Sequence, residues 1–314
     1  MVSQSIAQYS VHQSSIIVDM DMIRTPDHHF DGLPAFPYPP NYVHVNGARM
    51  HYLDEGKKDG EVILCLHGEP TWCYLYRKFM PILRKNHRVI APDFFGFGKS
   101  DKYLDKKSYS YRLHYKTLIH FIEELGLKDI TLVVQDWGGL IGLGVVGKHP
   151  ELFKRLVILN TSLPTGNRSM PLPFKLWQLF SQYWPTLPVG RILQWGTHKK
   201  MDKEVVAAYK APFPKERYKA GARMFPKLVP SSSKSGGVHE MKRAREVLSK
   251  WDKPAFVMFS DRDPIMKGGD KFFRKLIPTA KDQPEVTIRR AGHFLQEDKG
   301  EDIAQHIADF MERT

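Results

Sequence analysis

The chain has 314 residues, 42% hydrophobic, 12% aromatic and 26% charged, a globular composition with room for one large domain or two small ones. No apolar run reaches the roughly 20 residues that a membrane helix needs, and Cys65 and Cys73 have neither metal nor redox spacing, so two reduced thiols in a cytoplasmic protein are expected. The net charge of +13 is spread along the chain without a nucleic-acid motif, and it reads as a solvated surface that can steer anions, with no nucleic-acid or membrane partner.

In chain order, residues 1–22 are Ser/Gln-rich without a basic or sustained apolar stretch, which argues against a leader and for a disordered extension. Pro34, Pro37, Pro39 and Pro40 then force an irregular path to about Tyr42. Strands are predicted at Ala48–Asp54, at Glu61–Leu66 (running into His67-Gly-Glu-Pro-Thr-Trp72) and at Arg88–Pro92 (ending in Asp93-Phe-Phe-Gly-Phe-Gly-Lys-Ser-Asp101). Helices are predicted over Tyr74–Lys85 and over Tyr109–Leu125, where Leu118, Phe121, Ile122 and Leu125 share one face.

Thr131–Gln135 is a β-branched apolar run, the pattern of a buried parallel strand. It passes through Asp136-Trp137-Gly-Gly into a small, apolar helical stretch reaching about His149. A strand at Arg155–Asn160 follows. Between 162 and 237 the alternation breaks into short, proline- and aromatic-rich helical patterns, with Ser231–Ser235 as a hinge. Strands resume at Ala255–Phe259 and Glu285–Arg289, each followed by a helix, Gly269–Ile277 and Gln296–Met311. Such alternation predicts an α/β fold, a mostly parallel sheet flanked by helices. Residues 23–161 and 238–314 form its main domain, and 162–237 a helical lid, or cap, over the carboxyl edge where such sheets place their sites.

Three polar residues fall just after strands, in the order Asp136, Asp263, His293. A strand entering a helix through a tight glycine-flanked turn is a nucleophile elbow, and nucleophile–acid–histidine is the α/β-hydrolase order. The fit to Gly-x-Ser-x-Gly is partial, since Val134 stands at the first glycine and Asp136 at the serine; an aspartate there can also simply cap the helix. Asp261 rivals Asp263, because either can reach the histidine or start a turn.

His67-Gly-Glu-Pro-Thr-Trp72, Asp93-Phe-Phe-Gly-Phe-Gly-Lys-Ser-Asp101 and Val-Val-Gln-Asp136-Trp137-Gly-Gly together resemble a haloalkane dehalogenase of the subfamily I type. The resemblance runs from Ile23-Arg-Thr-Pro-Asp27 to Ala291-Gly-His293-Phe294. It implies an α/β-hydrolase fold and hydrolysis of a small halogenated alkane without cofactor or metal. Asp136 attacks carbon to give an ester and a halide. His293 then activates water, and Asp263, favoured by its Asp-Pro-Ile context, orients the histidine. Backbone N–H groups of Glu69 and Trp137 form the oxyanion hole. Two indole N–H groups hold the halide, those of Trp137 and, in Pro-Phe174-Lys-Leu-Trp177, of Trp177; Trp184 and Trp195 compete for the second place. A monomer or weak oligomer is expected.

An epoxide hydrolase shares the aspartate, histidine and acid but needs lid tyrosines to protonate the opening ring; Tyr183, Tyr209 and Tyr218 are present. Gln135 and the Glu69-Pro-Thr-Trp stretch weigh against it. A luciferase-like or non-catalytic member of the same fold completes the alternatives.

Overall fold

The structure, a computed structural model, describes residues 21–45, 47–167 and 172–314. Most of the expected 1–22 extension lies outside them; Met22 itself already belongs to a two-residue ribbon, Met22–Ile23 paired antiparallel with Lys102–Tyr103.

The sheet has eight strands: β1 Asn41–Val45, β2 Ala48–Gly56, β3 Val62–Leu66, β4 Arg88–Pro92, β5 Ile130–Val134, β6 Phe153–Ile158, β7 Ala255–Ser260 and β8 Val286–Ile288. Their spatial order is β1-β2-β4-β3-β5-β6-β7-β8. β2 runs antiparallel to β1 and β4, and the remaining pairs are parallel. β3 reads as an unbroken apolar run, and β5 as one interrupted only by the buried Thr131, because helices cover both faces of the sheet. The chain leaves β3 for β4 on one side and returns to β5 on the other, so the order reverses at β3, where a crevice opens at the carboxyl ends.

The helices are α1 Met80–Leu83, α2 Tyr111–Glu124, α3 Trp137–Lys148, α4 Leu172–Tyr183, α5 Val189–Trp195, α6 Lys203–Lys210, α7 Ala220–Leu228, α8 Val238–Leu248, α9 Gly269–Leu276 and α10 Leu295–Glu312. α2 begins at Ser110, whose hydroxyl accepts from the Leu113 N–H at 3.1 Å. α4 to α7 all fall between β6 and α8, with no strand among the described residues of that stretch.

Two expectations are corrected. The single helix over Tyr74–Lys85 is instead a 3-10 turn, Cys73–Tyr76, followed by the four-residue α1. The side chains of Cys73–Tyr76 are all fully buried, so no polar face imposes a helical period. The irregular path after Pro40 ends early, because β1 begins at Asn41 and pairs fully with β2.

Register builds the site. Leu66 pairs with Val134, Val134 with Ile158, Ile158 with Val257, and Ser260 with Ile288. The residues that follow each strand therefore gather at one edge.

Candidate active site

β5 turns directly into α3 through Asp136, whose φ of 49° and ψ of −123° cost a non-glycine residue roughly 1–3 kcal/mol. Three bonds hold the turn. The Asp136 N–H donates to the Asn160 carbonyl at 2.8 Å, Thr161 Oγ1 donates to the Asp136 carbonyl at 2.6 Å, and the Glu69 N–H donates to Asp136 Oδ1 at 2.8 Å. The carboxylate makes no capping bond to α3, so simple helix capping does not describe it. A Cβ on Gly68 would fall inside that carboxylate, and one on Gly138 would meet the Leu66 carbonyl. Glycine at both positions lets the β3 loop and α3 close around Asp136.

The loop after β8 carries His293, buried between two carboxylates. Its Nδ1 donates to Asp263 Oδ2 at 2.7 Å, and its Nε2 lies 3.5 Å from Asp136 Oδ2. The other Asp263 oxygen accepts from the N–H groups of Ile265 at 2.8 Å and Met266 at 3.2 Å, which fixes the carboxylate. Asp261 is exposed and accepts from the Ala291 N–H at 3.3 Å instead. Burial favours the neutral imidazole, but Asp263 and Asp136 outweigh it, and the His293 pKa is pushed up to about 10. Burial opposes ionisation of Asp263 too; His293 and the two backbone donors reverse this and hold its carboxyl below the ordinary value.

His67 shapes the opposing loop. Its Nε2 accepts from the Phe94 N–H at 3.0 Å, so Nδ1 carries the proton and donates to the Gly68 carbonyl at 2.9 Å. The Glu69 carboxyl, buried and facing the charge of Asp136, is raised well above the carboxylate range, and its Oε1 has no partner among the described residues. As the first residue of α3, Trp137 has an N–H with no acceptor inside the helix.

The Trp137 indole is buried and meets Phe225 of α7 edge-on at 4.7 Å. Trp177 sits half-buried on α4, stacked on Phe180 at 5.7 Å; among the described residues no hydrogen bond or ring contact joins it to Trp137 or Asp136. Trp184 and Trp195 are 57% and 72% exposed, which removes both from a buried halide site. Of the three lid tyrosines weighed for an epoxide hydrolase, Tyr183 is exposed, and Tyr209 donates its hydroxyl to Glu297 beside Arg77. Tyr218 is buried, with the Arg217 guanidinium over its ring, and like Tyr183 makes no hydroxyl hydrogen bond among the described residues.

Two site residues, Asn160 and Phe225, were not singled out from sequence, and a third, Gln135, stood out there only as weighing against an epoxide hydrolase. The Asn160 carbonyl accepts from the Asp136 N–H and its side-chain amide donates to the carbonyls of Gly292 at 3.1 Å and His293 at 3.2 Å, joining the Asp136 turn to the His293 loop. Gln135 Nε2 also donates to the His293 carbonyl, at 3.2 Å. Phe225 forms the wall against Trp137. A polar residue closing a buried strand was the available signal for Asn160; Phe225 carried none. Separately, His51, Cys73 and Asp93 form a buried trio with metal-ligand atoms. Asp93 is already used by His51 Nδ1 at 2.7 Å and by the N–H groups of Cys73 and Lys99, so the trio serves as a polar joint in the core.

The strand order, the strained turn after β5 and the histidine after the last strand define an α/β-hydrolase with a carboxylate in the nucleophile position. A family profile described as alpha/beta hydrolase fold matches residues 61–300. Haloalkane dehalogenase from Psychrobacter cryohalolentis is 47% identical over 298 residues, covering 93% of this chain and 98% of that protein. Haloalkane dehalogenase 1 from Mycobacterium tuberculosis is 45% identical over 301 residues, covering 94% and 100%. The haloalkane dehalogenase DpaA from Paraglaciecola agarilytica, whose structure is described as tetrameric, superposes with a TM-score of 0.86 at 38% identity, covering 91% of this chain and 97% of its own. This chain belongs to the haloalkane dehalogenase family. It is a hydrolase acting on carbon–halide bonds.

Proposed function

We propose that Asp136, His293 and Asp263 carry out dehalogenation in two steps. One observation supports the assignment above the rest. Asp136 Oδ1 is engaged by the Glu69 N–H, while Oδ2 faces outward with His293 Nε2 at 3.5 Å. Oδ2 attacks the halogenated sp³ carbon in line with the departing halide, which leaves with the bonding electron pair; an ionised carboxylate needs no base for this. Oδ1 becomes the ester carbonyl oxygen and accepts the Glu69 N–H, the first proposed oxyanion donor; the Trp137 N–H is the second. Each donor is worth roughly 3 kcal/mol when negative charge develops in the second step.

Esterification removes the Asp136 charge, one of the two that raise the His293 pKa. The ring then deprotonates more easily and takes a proton from water as that water attacks the ester carbon. Asp263 holds the resulting imidazolium. The products are alcohol, halide and a proton. The reading is tested by halide release from a panel of bromo- and chloroalkanes, with styrene oxide alongside. His293→Ala should release about one halide per site and then stall with the alkyl group on Asp136, seen by mass spectrometry. Epoxide turnover without halide release would overturn it.

Trp137 and Trp177 are the proposed halide donors, and residues 162–237 the cap that closes over them. Two free, buried thiols, Cys65 and Cys73, suit a reducing compartment such as the cytoplasm. No described helix is long and apolar enough to cross a membrane. A monomer or weak oligomer remains the proposed state, and light scattering on the purified chain tests it.

A further inference from the structure

We propose that the outer face of α4 docks on an anionic lipid surface. Leu172, Leu176, Leu179 and Tyr183 recur at spacings of four, three and four, one face of a helix, and each is 56–78% exposed. Trp184, immediately beyond the helix, is also exposed. The opposite face of α4 is satisfied: Gln178 Nε2 donates to the Pro226 carbonyl at 2.8 Å, and Ser181 Oγ approaches the Arg223 carbonyl of α7. A contiguous apolar stripe on the outside of a folded chain marks an interaction surface, and leucines followed by Tyr and Trp suit the boundary between lipid headgroups and acyl chains.

Charge selects the partner. The expectation of a charge spread along the chain is revised: Lys and Arg occur throughout, but residues 162–237 contain 13 of them against 3 Asp and Glu, a net +10 of the chain's +13. Among the described residues, ten of those basic side chains are exposed against two exposed acids, Asp202 and Glu204. The third acid, Glu216, is occupied by Lys219 and Arg223. Lys175 lies on α4 itself, Lys227 on the α7 packed against it, and Lys106 reaches the Gln182 carbonyl near its end. Pairing this face with a second copy would bring two strongly basic segments together, whereas an anionic leaflet attracts such a segment and receives the apolar stripe. Haloalkanes partition into lipid, so docking would set the cap against a reservoir of substrate.

Co-sedimentation of the full chain with vesicles of phosphatidylcholine containing a third phosphatidylglycerol tests this. Wild type should pellet at low salt, release as salt rises, and shift Trp184 emission to the blue. Leu176→Ser/Leu179→Ser and Lys175→Glu/Lys227→Glu should each weaken binding roughly tenfold, with an unchanged unfolding midpoint because these side chains are exposed. Failure to pellet, equal binding to pure phosphatidylcholine, or variants that pellet like wild type would each overturn the proposal. So would a wild-type oligomer that the leucine substitutions dissociate, since the face would then belong to a second copy.

Discussion

Asp298 Oδ2 accepts the Gly292 N–H at 2.8 Å, and the same oxygen accepts the His198 N–H at 2.8 Å. Oδ1 accepts the Lys199 N–H, also at 2.8 Å. One buried carboxylate thus joins the segment after α5 to the residue preceding His293. The Phe294 N–H, on the other side of the histidine, donates to the Gly196 carbonyl at 3.0 Å. These bonds tie the segment at 196–199 to the loop that carries His293. Asp298→Asn places an amide NH₂ against at least one backbone N–H, and each charge-assisted bond lost costs roughly 1.5–3 kcal/mol. In the proposed mechanism Asp136 needs no base, so the halide burst should survive while steady-state turnover falls roughly ten- to a hundredfold and alkyl-enzyme accumulates. Equal loss of burst and turnover would mean that Asp298 only supports the fold.

His293 gives a pH dependence whose sign can be worked out. Its pKa rises from 6.5 in the unfolded chain to about 10 in the folded one. The stability it contributes is therefore fully present below about pH 6.5 and is lost as pH rises through about 10. The unfolding midpoint of wild type should fall across that window more than that of His293→Gln. Asp136→Asn, which imitates the uncharged ester, should bring the His293 titration down towards neutrality by NMR. An unshifted titration would remove the link between alkylation and base formation.

Much of this arrangement was legible because buried parallel strands announce themselves as β-branched apolar runs, and polar residues just after them stand out. Asp136 follows such a run, Asp263 follows the largely apolar Ala255–Ser260, and His293 stood out by its place between Gly292 and Phe294 after a short edge strand. What stayed hidden depends on tertiary geometry. Asp261 and Asp263 look alike in sequence; the turn that buries one and exposes the other is set by the N–H groups of Ile265 and Met266. Asp298 reads as an ordinary first-turn acid of α10, and its role arises from the segment at 196–199 folding back over it. The concentration of charge in 162–237 was in the sequence throughout, but only the exposure of α4 gave it a face.

Two glycines near Asp136 should fail differently. In Gly68→Ala the new methyl meets the Asp136 carboxylate and its Cβ, which rotation does not move; the loop after β3 must shift instead, so the protein should fold but lose the Glu69 N–H bond. Loss of one such donor costs roughly 2.7–4 kcal/mol, seen as a hundredfold or greater drop in turnover at a near-normal unfolding midpoint. In Gly138→Ala the methyl meets the Leu66 carbonyl, backbone of β3 that cannot yield without breaking the sheet. Soluble expression should fall sharply there. A well-folded Gly138→Ala enzyme would show that α3 can move away from β3.

The proposed second halide donor, Trp177, is testable by bromide binding. Bromide bound beside Trp137 should quench intrinsic fluorescence, and a second indole N–H should tighten that binding. Trp177 is the one of the three candidates that is half-buried, on the helix packed against α7, which also supplies Phe225 to Trp137. Trp177→Phe keeps the ring and removes only the donor. Losing one hydrogen bond to a charged species costs roughly 1.5–3 kcal/mol, about ten- to a hundredfold in the bromide Kd. Trp184→Phe and Trp195→Phe should lower total fluorescence and leave that Kd unchanged, because both rings face solvent. Tyr209→Phe should reduce stability through its lost bond to Glu297 without abolishing halide release. Normal bromide affinity in Trp177→Phe would move the second donor elsewhere, and abolished turnover in Tyr209→Phe would return the epoxide chemistry to contention.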